Sequence, residues 1–146
     1  MEKLEVIGTK KLKGTIKISG SKNSSLPILA ATLLSSKKVE IYNLPKVKDI
    51  ETMILLLRSL GSNIKYNKKN KSVNISNSKN IKTFASYNLV KTMRAGILVL
   101  GPLLARFNKA KVSLPGGCAI GARPVDIHLK ALSKLGVNYK IVEGYI

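Results

Sequence analysis

Apolar positions recur with two different periods along this chain. Leu4-Glu5-Val6-Ile7 reads as a short strand, and Gly14-Thr15-Ile16-Lys17-Ile18 alternates clearly enough to read as a second. Residues 21–25 are polar, and residues 26–34 are then apolar on nearly every side. That pattern predicts a buried helix with Pro27 in its first turn. Lys38-Val39-Glu40-Ile41 is a strand. Residues 48–60 form the clearest amphipathic helix, with Ile50, Met53, Ile54, Leu57 and Leu60 on one face and Gly61 as its stop. Residues 63–66 and 72–75 make a hairpin around Asn67-Lys68-Lys69-Asn70. The order is βαβαββ.

The order then starts again. Residues 82–85 read as a short strand, and residues 88–105 as a second nearly all-apolar helix that Gly101-Pro102 could kink. Residues 111–114 are a strand. Val125, Leu129, Leu132 and Leu135 mark an amphipathic helix closed by Gly136, and residues 137–142 a last strand. Two matches support an internal repeat: residues 38–41 with 111–114, and Leu57-Arg58-Ser59-Leu60-Gly61 with Leu132-Ser133-Lys134-Leu135-Gly136. The offsets are 73 and 75 residues, so the second copy is longer by two. The gain falls across residues 115–128.

Composition narrows the class. The chain has 146 residues, 45% of them hydrophobic, enough for an ordinary globular domain. One cysteine cannot form an internal disulfide, which suits a reducing cytoplasm. The first residues lack the apolar core of a signal peptide, and the longest apolar stretch, residues 95–105, is too short to span a bilayer. A cytoplasmic protein without membrane insertion is expected. The formal charge of +19 invites a nucleic-acid reading. But most of the basic residues are lysines spread along the whole chain, and aromatic residues, at 5%, are thin for base stacking. A solvated basic surface without a specific nucleic-acid partner is the better reading. Of the four arginines, Arg58 and Arg106 read as ordinary helix residues.

Residues 115–128, PGGCAIGARPVDIH, hold the only cysteine and the only histidine. Glycines make this loop conformationally permissive, and it sits between a strand and a helix. A lone cysteine is commonly a small buried hydrophobe, but Gly-Gly before Cys118 is a poor core context. Arg123 nearby would favour the thiolate.

This loop closely resembles the catalytic loop of the UDP-N-acetylglucosamine 1-carboxyvinyltransferases, enolpyruvyl transferases of the EPSP synthase-like family. Two further stretches carry the resemblance. Ile18-Ser19-Gly20-Ser21-Lys22-Asn23 with Leu26-Pro27-Ile28-Leu29 is similar to the family's N-terminal phosphate-binding motif, and residues 89–95, LVKTMRA, to a second binding motif. The resemblance covers the whole chain, as the N-terminal portion of a longer protein. Ala119 departs from the threonine many relatives carry.

The resemblance implies an α/β (α+β) fold, an inside-out barrel built from βαβαββ repeats, here about two repeats of an incomplete chain. Residues 1–20 would belong to the second domain of the full enzyme. Residues 21–146 would be an incomplete first domain, with repeat one at about 14–76 and repeat two at about 82–146. The implied reaction moves the enolpyruvyl group of phosphoenolpyruvate to the 3'-hydroxyl of UDP-N-acetylglucosamine and releases phosphate, with no cofactor and no metal. Cys118 would be the proton donor and form a covalent adduct with phosphoenolpyruvate. Lys22, Asn23 and Arg123 would bind phosphoenolpyruvate. Arg94, Arg123, Pro124, Val125, Asp126 and Ile127 would bind the UDP-sugar. Asp126 also suits a helix's first turn, and His128 reads as a structural residue near the apolar face of its helix. The general base would lie in the missing C-terminal portion, the implied partner of this chain, so the piece alone should be inactive. A shikimate-pathway enolpyruvyl transferase is the nearest competitor, and a basic binding module a further one.

Overall fold

The computed structural model describes residues 3–8, 10–116 and 124–146. Its central unit is two helices against a small sheet. Helix α1 (Lys22–Ala31) packs on α2 (Lys48–Ser59). Strands β1 (Val39–Ile41), β2 (Asn63–Asn67) and β3 (Ser72–Ser76) form an antiparallel sheet in the order β1-β3-β2. The register follows from period-two patterning. Ile75 pairs with Val39 and Ile64, and Val73 with Ile41 and Tyr66, which puts the apolar side chains on one face. On the other face Asn74 Nδ2 donates to Glu40 Oε1 at 3.0 Å.

The predicted amphipathic helix is α2, and Ile50, Met53, Ile54, Leu57 and Leu60 are all buried. Gly61 closes it at φ +104°, a left-handed conformation that glycine adopts without strain. The hairpin of residues 63–75 also forms where the pattern puts it.

The first apolar helix differs from expectation. It begins at Lys22, with Ser21 as N-cap, and Pro27 is its sixth residue rather than part of the first turn. Proline there removes the bond that residue 27 would donate to the carbonyl of Asn23. The helix ends at Ala31, and residues Thr32–Leu34 continue as a 3-10 turn. Leu26, Leu29, Ala30 and Leu33 are buried, but Ile28 and Leu34 are about half exposed, so burial is one-sided.

The second apolar helix is broken into three pieces: α3 (Tyr87–Val90), a 3-10 segment (Arg94–Val99) and α4 (Leu100–Phe107). The break comes at Met93, whose backbone is extended, and not at Gly101-Pro102. Pro102 lies in the first turn of α4, where its missing N–H has no helical bond to make. The break folds Gly96 back onto Val90, where an added Cβ would come within 3.2 Å of the Val90 Cα.

Strand β4 is only Phe84–Ala85, and it pairs in parallel with β5 (Lys111–Val112). The segment read as a strand at residues 137–142 makes no ladder. Glu143 and Gly144, both at positive φ, reverse the chain in a tight turn, and Ile146 then exchanges backbone bonds with Val112. Helix α5 (Asp126–Lys134) buries Leu129, half-buries Leu132 and leaves Leu135 exposed, so its apolar stripe is only partly covered.

The two N-terminal strands of the pattern do not form among the described residues. Residues 3–8 and 10–20 pair with no strand among the described residues, and Leu4, Val6, Ile7, Leu12, Ile16 and Ile18 are 76–92% exposed. An isolated extended segment has nothing to satisfy its backbone except water, so alternation alone does not make it a strand. Arg58 and Arg106 are more than surface helix residues. Arg58 donates to the Ile64 carbonyl, tying α2 to β2. Arg106 donates to the carbonyls of Leu33, Ser35 and Ser78, closing the end of the first helical segment. Beside it the buried Asn77 donates to the Thr32 and Ser35 carbonyls and accepts from the Ser62 hydroxyl. No helix among the described residues is long and apolar enough to cross a membrane.

Candidate active site

Three stretches far apart in sequence meet around a cavity of about 440 Å³. The start of α1 gives Lys22 and Asn23, with Leu26 and Pro27 behind them. The break before the 3-10 segment gives Met93 and Arg94. The entry to α5 gives Pro124, Val125 and His128, and the first turn of α2 adds Asp49.

Each side chain is placed by a local device. Gly20 lets the chain enter α1 in close contact with the loop after β1: a Cβ built on it would lie 1.7 Å from the Asn43 carbonyl oxygen. Ser21 then caps the helix, its hydroxyl accepting from the Ser24 N–H at 3.4 Å and its carbonyl from the Ser25 hydroxyl at 2.7 Å. Lys22 and Asn23 are thereby fixed at the positive end of a ten-residue helix, a favourable place for an anion. The extended Met93 turns its own side chain into the core and starts the 3-10 segment at Arg94, which stays exposed. Among the described residues the Arg94 guanidinium has no ion-pair partner. Lys22 does have one, with its Nζ 3.0 Å from Asp49 Oδ2.

Of the residues singled out from the sequence, Lys22, Asn23, Arg94, Pro124 and Val125 share this cavity. Asp126 and Ile127 do not line it. Asp126 lies in the first turn of α5, and Ile127 is 78% exposed. Cys118 and Arg123 lie outside the described residues. His128 was expected to sit structurally against its helix's apolar face; it is exposed and lines the cavity instead. Three residues after Val125 on α5, it shares that residue's side of the helix, a spacing the sequence did offer. Asp49 was missed, because an acid in a helix's first turn has a sufficient local explanation in the dipole.

The cavity thus offers a helix N-terminus, an ammonium, an amide and a guanidinium beside an apolar wall. These are groups for an anionic ligand with an uncharged portion. The chain belongs to the family described as EPSP synthase (3-phosphoshikimate 1-carboxyvinyltransferase), which it matches over residues 6–146. Within that family it is 75% identical over its full length to a UDP-N-acetylglucosamine 1-carboxyvinyltransferase of Pelagibacter ubique (strain HTCC1062), of which it covers 34%. It is 58% identical over its full length to the protein of the same name from Helicobacter pylori (strain Shi470), again covering 34%. The chain therefore spans about a third of the length of these curated relatives. Its fold also matches the crystal structure of the enolpyruvyl transferase NikO from Streptomyces tendae, with a TM-score of 0.75 at 22% identity, over 94% of this chain and 30% of that one. The α/β enolpyruvyl-transferase fold is thereby shared.

Proposed function

We propose that this chain is the N-terminal part of an enzyme that transfers the enolpyruvyl group of phosphoenolpyruvate to the 3'-hydroxyl of UDP-N-acetylglucosamine, a cytoplasmic step of peptidoglycan synthesis. The observation that carries the reading is the convergence of Lys22, Asn23, Arg94, Pro124 and Val125 on one cavity from three separate stretches. The names of relatives at 58% and 75% identity favour the UDP-sugar over shikimate 3-phosphate as acceptor.

In this reading Lys22 and Asn23 hold the phosphate of phosphoenolpyruvate at the start of α1. Arg123 adds a planar fork for its phosphate or carboxylate, and Arg94 reaches the nucleotide-sugar along the wall formed by Pro124 and Val125, with Asp126 and Ile127 beyond. Addition requires a proton at the methylene carbon of phosphoenolpyruvate as the sugar hydroxyl bonds to the adjacent carbon. Cys118 is the donor. Elimination then takes a proton from the new methyl group, breaks the carbon–oxygen bond to phosphate and restores the double bond. The base for the hydroxyl and the remaining cations come from residues beyond this chain. Residues 1–20 complete that other domain, which would cover the apolar side chains of Leu4, Val6, Ile7, Leu12, Ile16 and Ile18 that now face solvent.

The test is phosphate release by the full-length gene product with both substrates, together with intact mass after incubation with fosfomycin and the UDP-sugar. Release that depends on UDP-N-acetylglucosamine, and one adduct on Cys118, are expected; the 146-residue chain alone should give no release. Release with shikimate 3-phosphate instead, or no adduct, would overturn the assignment.

A further inference from the structure

We propose that Asp49 is a positioning residue for Lys22, holding its ammonium at the cavity wall in the orientation that receives the phosphate group of phosphoenolpyruvate. The inference rests on the reading of Lys22 as the phosphate ligand.

Lys22 stands where a helix ordinarily favours an acid. It is the first residue of α1, the first turn of α1 has no acid, and the field of the helix N-terminus repels a cation there. A lysine also carries its charge on a long flexible stem, so an unpaired ammonium would swing into water. Asp49 supplies the missing negative charge from a neighbouring element. It lies in the first turn of α2, where that helix's own dipole favours it, and it meets Lys22 Nζ at 3.0 Å. Both side chains line the same cavity, as does the Arg94 guanidinium.

The pair's exposure argues for position rather than stability. The two side chains are 48% and 38% exposed, and ion pairs this open add little to folding. What the contact does is restrict the ammonium. An ammonium has three donors, and a single carboxylate oxygen takes one, which leaves two for the oxygens of an anion. With Lys22 and Arg94 against Asp49, the cavity keeps a positive balance.

The experiment uses the full-length gene product, wild type, Asp49→Asn and Asp49→Glu. Acetylation of Lys22 by an N-hydroxysuccinimide ester is followed on its own peptide as phosphoenolpyruvate is raised, and steady-state phosphate release is measured beside it. In Asp49→Asn the phosphoenolpyruvate concentration that half-protects Lys22 should rise about tenfold, with KM for phosphoenolpyruvate rising alike and kcat changing by less than about twofold. Asp49→Glu should return protection to within about threefold of wild type. Equal or tighter protection in Asp49→Asn, or a loss that Asp49→Glu does not restore, would overturn the proposal. If Asp49→Asn does not fold, Asp49→Ser takes its place under the same criteria. Protection of wild-type Lys22 without UDP-sugar-dependent release would sink the proposed reaction and leave this inference standing. No protection of wild-type Lys22 at any concentration would sink the inference, whether or not phosphate is released.

Discussion

Leu60 and Leu135 occupy matching positions in the two stretches that sequence similarity pairs as repeats, and each is followed by a glycine at positive φ, +104° at Gly61 and +89° at Gly136. Leu60 is fully buried; Leu135 is 81% exposed. The helices end by the same device because a C-cap is a local matter of backbone geometry. They differ in burial because burial requires a neighbour. In the first repeat α2 is covered by α1 and backed by a sheet closed by the β2-β3 hairpin. In the second, the chain after α5 makes only a tight turn between Val142 and Tyr145 among the described residues, and the apolar stripe of α5 lies partly open. The same sequence signal therefore carries two kinds of information, and only the helix end can be read without knowing the rest of the molecule.

The comparison breaks most sharply at the two leucines. Leu60→Ala should cost about 3 kcal/mol in urea unfolding of the protein, as buried leucine truncations do. Leu135→Ala in the same assay should stay within about 0.5 kcal/mol. Equal costs would mean that α5 is covered in solution as fully as α2. A smaller effect belongs to the polar seam of the first repeat. Asn77 is 2% exposed and satisfies the end of the first helical segment, so Asn77→Ala should lose about 2 kcal/mol by stranding buried partners. No loss would show that water replaces the amide. The smallest effect should be the same in both repeats. Gly61→Ala and Gly136→Ala should each cost about 1 kcal/mol, since no close contact awaits the added methyl at either site and only the left-handed backbone resists it. A marked difference between these two would refute the view that the caps are locally determined.

The sequence made legible whatever is periodic or local. The α2 stripe, the hairpin and both glycine caps could be read before any coordinates, and Lys22, Asn23 and Arg94, singled out from separate motifs, do line one cavity. What could not be read depends on partners or on three-dimensional closure. The alternation at residues 14–18 signals a strand, but a strand exists only beside another, and none lies next to it among the described residues. The apolar run of residues 88–105 resembles one helix because its composition is uniform. The break at Met93 brings Gly96 against Val90, a contact that composition does not record. Asp49 escaped for a related reason. Its position in α2 explains it adequately, and only the approach of α1 gives it Lys22 as a partner. Family membership was legible from three motifs and agrees with the match over residues 6–146.

The contact of Gly20 with the Asn43 carbonyl also bears on how this protein can vary over generations. Any one-base change in a glycine codon that replaces the residue adds a β-carbon, so every single step away from Gly20 meets the same backbone oxygen. Asn43 itself holds a left-handed backbone at φ +57°, and its oxygen belongs to the main chain, so changing its side chain does not clear the space. The turn that presents Lys22 is therefore closed to gradual drift. A lineage could alter it only by first moving the loop after β1, and that loop leads directly into Leu44 of the core.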